Sequence, residues 1–172
     1  NLDDLVAANI KEGAAKVSEN YIRYFRSGYS IMTPSACAVE VIDSAKGFEI
    51  TEVLASAGKG SWVEKETTDF INEKSVLNPA VGEVEKSNSI MLYLTRPVNN
   101  KEQRIFVIGD ADCISTLELS QNRPGFRSSN FTLITETFRN LSYGEFPVEA
   151  SRVNPPDDRV LVTRNVIFGI RV

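Results

Sequence analysis

Ile90-Met91-Leu92-Tyr93-Leu94-Thr95, then Arg96-Pro97, Asn99-Asn100-Lys101-Glu102 and Arg104-Ile105-Phe106-Val107-Ile108, is the stretch on which the fold turns. The first run is almost continuously apolar, the pattern of a strand covered on both faces. Arg96-Pro97 is expected to end it, because proline cannot donate to a ladder. Asn99 to Glu102 reads as a polar turn. Arg104 to Ile108 is a second buried strand, closed by Gly109-Asp110-Ala111-Asp112. Two strands this apolar read as the centre of a layered sheet.

Upstream, Phe48 to Ala55 reads as a strand whose apolar phase shifts near Val53. Tyr29 to Met32 and Cys37 to Ile42 are shorter strands, and Ser44 to Gly47 is a turn. Residues 3–26 read as helical, interrupted at Gly13 and stopped by Ser27-Gly28. Residues 56–89 are irregular, with the flexible Gly58-Lys59-Gly60-Ser61, the single Trp62 and a charged stretch of weak helical character. So long a connection is usually functional or covers something. Trp62 reads as a loop anchor.

Downstream, Ser115 and Glu118 stand at capping-box spacing before one or two helical turns. Asn122-Arg123-Pro124-Gly125 is a turn. Ser128, Ser129 and Asn130 offer caps for a helix from Phe131 to about Tyr143, ended by Gly144. The expected architecture is α/β: a layered mixed or mostly parallel sheet of about five strands with flanking helices. Sites in that class lie at the carboxyl ends of central strands, which puts Gly109 to Asp112 where a site belongs. The chain reads as one domain over 1–172: a helical lead-in over 1–28, a core over 29–145 and an extended segment over 146–172.

Composition removes several chemistries. There is no histidine among the 172 residues, so Ser-His-Asp and Cys-His triads and His-containing zinc sites are out. Two cysteines make neither a four-Cys site nor a disulfide framework, and two buried free thiols are expected. The net charge of −4 argues against nucleic-acid binding. It arises before Arg104, where eleven cations face fifteen acids. From Arg104 on, eight arginines balance eight acids. Arginine without lysine suits planar, bidentate contacts. No apolar run reaches the roughly 20 residues that span a bilayer. The missing initiator Met suggests a piece of a longer chain.

Asp110 and Asp112 are the strongest candidates for chemistry. In an extended segment positions i and i+2 point the same way, so the two carboxylates would share a crevice as a Mg²⁺ or Ca²⁺ site or a split-pKa pair. The alternative has Asp110 capping the next turn and Asp112 pairing with an arginine. It is favoured because no third or fourth ligand is near. Cys113 sits where a nucleophile elbow would, but lacks a base and has carboxylate neighbours. Arg123, Arg127 and Arg139 would bind an anion at the helix start or pair with acids. Gly58 to Ser61 lacks the full phosphate-loop spacing, and the glycosylation triplets at Asn130 and Asn140 fall in the expected helix.

One longer block resembles a known family. Gln103 to Asp112, Ile114-Ser115, Asn122-Arg123-Pro124 and Ser129-Asn130-Phe131 resemble a recurring block in the extracytoplasmic part of auxiliary membrane proteins of ABC-type transport systems. The GldG-like gliding-motility proteins of Bacteroidetes are members. Phe48 to Ala57, Ser61-Trp62, Pro79 and Leu94-Thr95-Arg96 are similar too, so the likeness spans about 29–145. It implies a glutamine-amidotransferase-like or flavodoxin-like domain without catalytic residues. It implies a place at the periplasmic face of the bacterial inner membrane, a membrane helix after Arg164 to Val172, and permease or ATPase subunits or other envelope proteins as partners. Cys113 departs from it, since the family carries an aromatic there.

The function expected is thus non-catalytic, acting by protein or ligand contacts, with no cofactor and no metal. Gly109, Asp110, Asp112, Ser115, Asn122, Arg123 and Asn130 form its ligand-binding or structural motif. Two other readings stay open. One is a metal-binding or hydrolytic domain using Asp110 and Asp112. The other is a sugar or peptide module with the 56–89 loop and Trp62 as its lid.

Overall fold

The computed structural model describes residues 5–42, 47–66 and 74–145. The expected turn over Ser44 to Lys46, part of the charged stretch before Asn78 and the segment over 146–172 lie outside the described residues. Five strands form one sheet: β1 Leu5–Ile10, β2 Ile31–Pro34, β3 Glu49–Ala55, β4 Ser89–Val98 and β5 Lys101–Ile108. Their order across the sheet is β2-β1-β3-β4-β5, and every neighbouring pair is antiparallel. Three helices accompany them: α1 Glu19–Arg26, α2 Thr116–Ser120 and α3 Asn130–Leu141. A curled antiparallel half-barrel with few helices therefore replaces the layered, mostly parallel α/β sheet that the sequence suggested. It is also not the amidotransferase-like or flavodoxin-like frame that the resemblance implies.

The reason lies in the opening stretch. Asn99 and Asn100 both take positive φ, 46° and 63°. Successive left-handed residues make the tight turn whose twist suits a hairpin, and asparagine tolerates that region. Pairing then runs without interruption from Val98↔Lys101 to Met91↔Ile108. Strands joined by two residues must be antiparallel, since a parallel pair needs a crossover of a dozen or more. Pro97 does not end β4. It pairs with Glu102, beyond Thr95, the last β4 residue that β3 reaches, so its missing N–H interrupts no ladder. Moreover, among the described residues β5 lies at the edge of the sheet and not at its centre.

Local chemistry explains most other elements. The register of β3 against β4 slips between Glu52 and Leu54, which is the phase shift legible at Val53. This bulge leaves Val53, Leu54 and Ala55 all buried. The expected helix over 3–26 is divided. Residues 5–10 are a strand, because Val6, Ala8 and Ile10 also satisfy a period of two and β2 and β3 lie on either side. A 3-10 turn over Glu12–Lys16 then leads to α1, capped by Ser18, whose Oγ accepts from the Asn20 amide at 3.2 Å. Gly13 is needed there, since a Cβ would stand 2.9 Å from Thr51 Cγ2. Cys37 to Ile42 forms no strand. Two bonds, Cys37 N–H to the Gly109 carbonyl and Val39 N–H to the Ser89 carbonyl, lay it across the open end of the β4–β5 hairpin.

Ile10, Tyr21, Ile31, Leu54, Met91 and Leu133 are central to the core. Each such side chain contributes roughly 1.5–3 kcal/mol when fully buried. Helices α1 and α3 are fastened by Tyr21, whose hydroxyl donates to the Leu133 carbonyl at 2.9 Å. Glu136 adds to this by accepting from Ser18 Oγ and Asn20 Nδ2. No helix among the described residues is long and apolar enough to cross a membrane.

Candidate functional site

The corner that follows β5 gathers most of the residues singled out by sequence. Gly109 opens it. Its N–H donates to the Ile90 carbonyl and its own carbonyl accepts from Cys37, both at 2.8 Å. A Cβ at this position would stand 1.9 Å from the Cys37 oxygen, so no side chain fits. The backbone then turns rather than staying extended: Ala111 is helical, at φ −85° and ψ −26°. That turn separates the two aspartates. Asp110 is buried and Asp112 is exposed, so they share no crevice.

Asp110 Oδ1 accepts from the Asp112 amide at 2.7 Å, and its carbonyl accepts from Cys113 Sγ at 3.2 Å. Oδ2 is buried with no partner among the described residues. Burial pushes the Asp110 carboxyl above its usual range, and the charges of Asp112 and Glu118 add to that. The capping role thus belongs to Asp110 as the alternative reading had it, while Asp112 forms no ion pair among the described residues. Burial likewise pushes the Cys113 thiol up to about 12, with Asp110, Glu118 and Asp112 adding to it. At neutral pH it is a thiol and no nucleophile. Both cysteines are free, but Cys37 is exposed rather than buried.

Ser115 caps α2 by accepting from the Glu118 amide at 3.2 Å. The Glu118 carboxylate does not close a capping box. It turns to Arg123, which grips both oxygens, one at 2.7 Å, and also reaches Gln121 Oε1 at 2.7 Å. Arg139 pairs with Glu136, and Arg127 lies 5.9 Å from the Tyr29 ring centre. Asn130 is 2% exposed and fully engaged. Its Nδ2 donates to the carbonyls of Met32 and Cys113, both at 2.7 Å, and its Oδ1 accepts from Met32 N–H and Ser128 Oγ. Asn122 lies in the exposed loop between α2 and α3.

Beside this scaffold is a cleft of about 330 Å³. Met32, Leu119, Phe126 and Phe131 supply its apolar lining, while Gln121, Asn122 and Arg123 carry its polar side. Phe126 is 48% and Phe131 68% exposed. The structure thus brings Asn122, Arg123 and Asn130 to one cleft and leaves Gly109, Asp110, Asp112 and Ser115 to hold the corner behind it. Sequence reasoning missed Phe126 and Phe131 as cleft walls. Phe131 opens the expected helix, and nothing in the spacing shows that its side is uncovered.

The 56–89 region has no described residue that lines this cleft. Its two arms zip together instead, through Ser56 N–H to the Asn88 carbonyl and Lys86 N–H to the Ser61 carbonyl, both at 2.9 Å. Gly60 N–H donates to the Glu85 carboxylate, a neighbour that repels phosphate. Glu64, Glu66 and Glu83 bring carboxylate oxygens within 4.8 Å of one another. Glu83 is occupied by the amides of Lys65 and Asn78, and those bonds pull its pKa below the ordinary range. Comparison with family models, curated proteins and solved structures finds no match.

Proposed function

We propose that this chain is a non-catalytic recognition domain that works by contact, with the cleft between the α2–α3 loop and α3 as its contact site. One observation carries the reading. Asp110 Oδ1, Glu118, Arg123 and Asn130 are spent on holding the corner, while Phe126 and Phe131 beside the adjoining cleft are exposed. Half-exposed Phe rings around a preformed hollow are what a binding site needs and a fold does not. Cys113 and Asp110 offer no thiolate and no paired carboxylates for turnover.

The resemblance over 103–131 supports a setting for this role. It is the extracytoplasmic face of a bacterial inner membrane, within a membrane-anchored protein of an ABC-type transport system whose partners are permease or ATPase subunits or other envelope proteins.

The test is a photo-cross-linking amino acid placed at Phe131 of the full chain, with Val98 on the hairpin as the control position. The expected result is an adduct specific to position 131 that excess unlabelled domain suppresses. Equal labelling from both positions, or a hydrolytic turnover that Asp110→Asn abolishes, overturns the reading.

A further inference from the structure

We infer that the cleft takes a neutral saccharide, a mono- or disaccharide unit presenting one apolar ring face and adjacent hydroxyls. This rests on the recognition reading above and names its ligand. The first argument is charge. Among the described residues no carboxylate lines the cleft, so these side chains offer nothing to a metal ion or an amine. The one cation among these lining residues, Arg123, is neutralised by its bidentate grip on Glu118, itself 4% exposed, so a phosphate or sulfate would have to compete with a buried carboxylate. A neutral ligand remains.

The second argument is hydrogen-bond capacity. Asn122 has a side-chain amide with no partner among the described residues, so both its donor and its acceptor are open. Gln121 has its oxygen held by Arg123 Nη2, which fixes the amide and leaves its NH₂ to donate. A purely apolar occupant would strip water from both amides and replace none of their bonds, at a cost of about 1–3 kcal/mol each. Adjacent hydroxyls donate and accept together, and so satisfy a primary amide. The third argument is shape. Phe126 and Phe131 supply exposed aromatic lining against which the C–H side of a pyranose can pack, and about 330 Å³ lies at the lower end of the roughly 300–1,000 Å³ of small-ligand sites.

The experiment titrates the full chain with methyl β-glucoside, methyl β-galactoside, N-acetylglucosamine and cellobiose, followed by amide NMR and calorimetry. N-acetylphenylalanine amide and inorganic phosphate are the comparison ligands. At least one sugar is expected to bind at millimolar concentration or below and to shift the Asn122 side-chain resonances. Asn122→Ala and Phe131→Ala alter exposed side chains and should melt like the wild type. Each is expected to weaken that binding about three- to tenfold, the loss of one hydrogen bond or one stacking contact. Phosphate should leave the spectrum unchanged.

Sugar binding that both variants leave intact, or no shift with any of the four sugars, overturns the saccharide assignment. If the phenylalanine amide alone binds and depends on Phe131, the recognition reading stands and its ligand is a peptide. If no probe shifts the cleft and position 131 yields no specific adduct, the recognition reading falls as well.

Discussion

The Asn130 side chain pairs with the Met32 backbone in both directions. Its Oδ1 takes the Met32 N–H at 2.9 Å and its Nδ2 gives a hydrogen to the Met32 carbonyl at 2.7 Å. A primary amide here acts as one more rung on the edge strand β2. A second Nδ2 hydrogen reaches the Cys113 carbonyl, so one residue ties α3, β2 and the corner after β5 together. Asn130→Ala should therefore cost about 3 kcal/mol, from three buried bonds and the backbone groups left unpaired. Asn130→Asp should cost more, because a carboxylate would face two carbonyls with no hydrogen to give. Chemical denaturation of both variants measures this, and a loss below about 1 kcal/mol for the alanine would show that the clamp is not formed.

Gly109 is required for space rather than for conformation. A Cβ would stand 1.9 Å from a backbone oxygen, which cannot swing aside as a side chain can. Gly109→Ala should force residues 37–39 away from the hairpin end and cost about 2–3 kcal/mol, at the upper end of overpacking penalties. Hydrogen exchange should show the Cys37 and Val39 amides losing protection first, since they make the bonds that would break.

Asp110 sets a pH dependence with a definite sign. Burial raises its folded pKa above the unfolded value, so the folded state holds the proton more tightly. Its contribution is fully present below the unfolded pKa and is lost as pH rises through the folded one. Asp110→Asn keeps the oxygen that accepts from Asp112 and removes the charge. Relative to wild type, the variant should gain stability as pH rises from below the ordinary aspartate pKa through the raised folded one. A constant difference across that range would show that Asp110 is not desolvated.

The two cysteines should behave differently towards an alkylating reagent. Cys37 is exposed, whereas Cys113 is buried with its thiol raised to about 12. Folded protein should take one label, at Cys37, and the second only after denaturation. Rapid labelling of Cys113 in the folded chain would restore it as a reactive residue.

Much of the local structure was legible. The runs over Phe48 to Ala55 and Ile90 to Ile108, the slip at Val53, the Ser115 cap and the helix from Asn130 all follow from period, capping chemistry and turn residues within a few positions of each other. The candidate site was legible in part. Asn122, Arg123 and Asn130 do meet at one cleft, but the aspartates do not meet at all, because the rule that aligns i and i+2 holds for a strand and Asp110 to Asp112 is a turn.

What the sequence by itself determined is which segments are apolar, where they begin and stop, and which chemistries lack their residues, above all those that need histidine. Only the tertiary structure decided that residues 5–10 are a strand, that β5 lies at an edge, that Asp110 is buried while Asp112 is exposed, and that Asn130 pairs with β2. The physical reason is common to all four. Propensity and periodicity act over a few neighbouring residues. Burial and pairing are set by whatever the chain brings alongside, and for Asn130 that partner is Met32, 98 positions away.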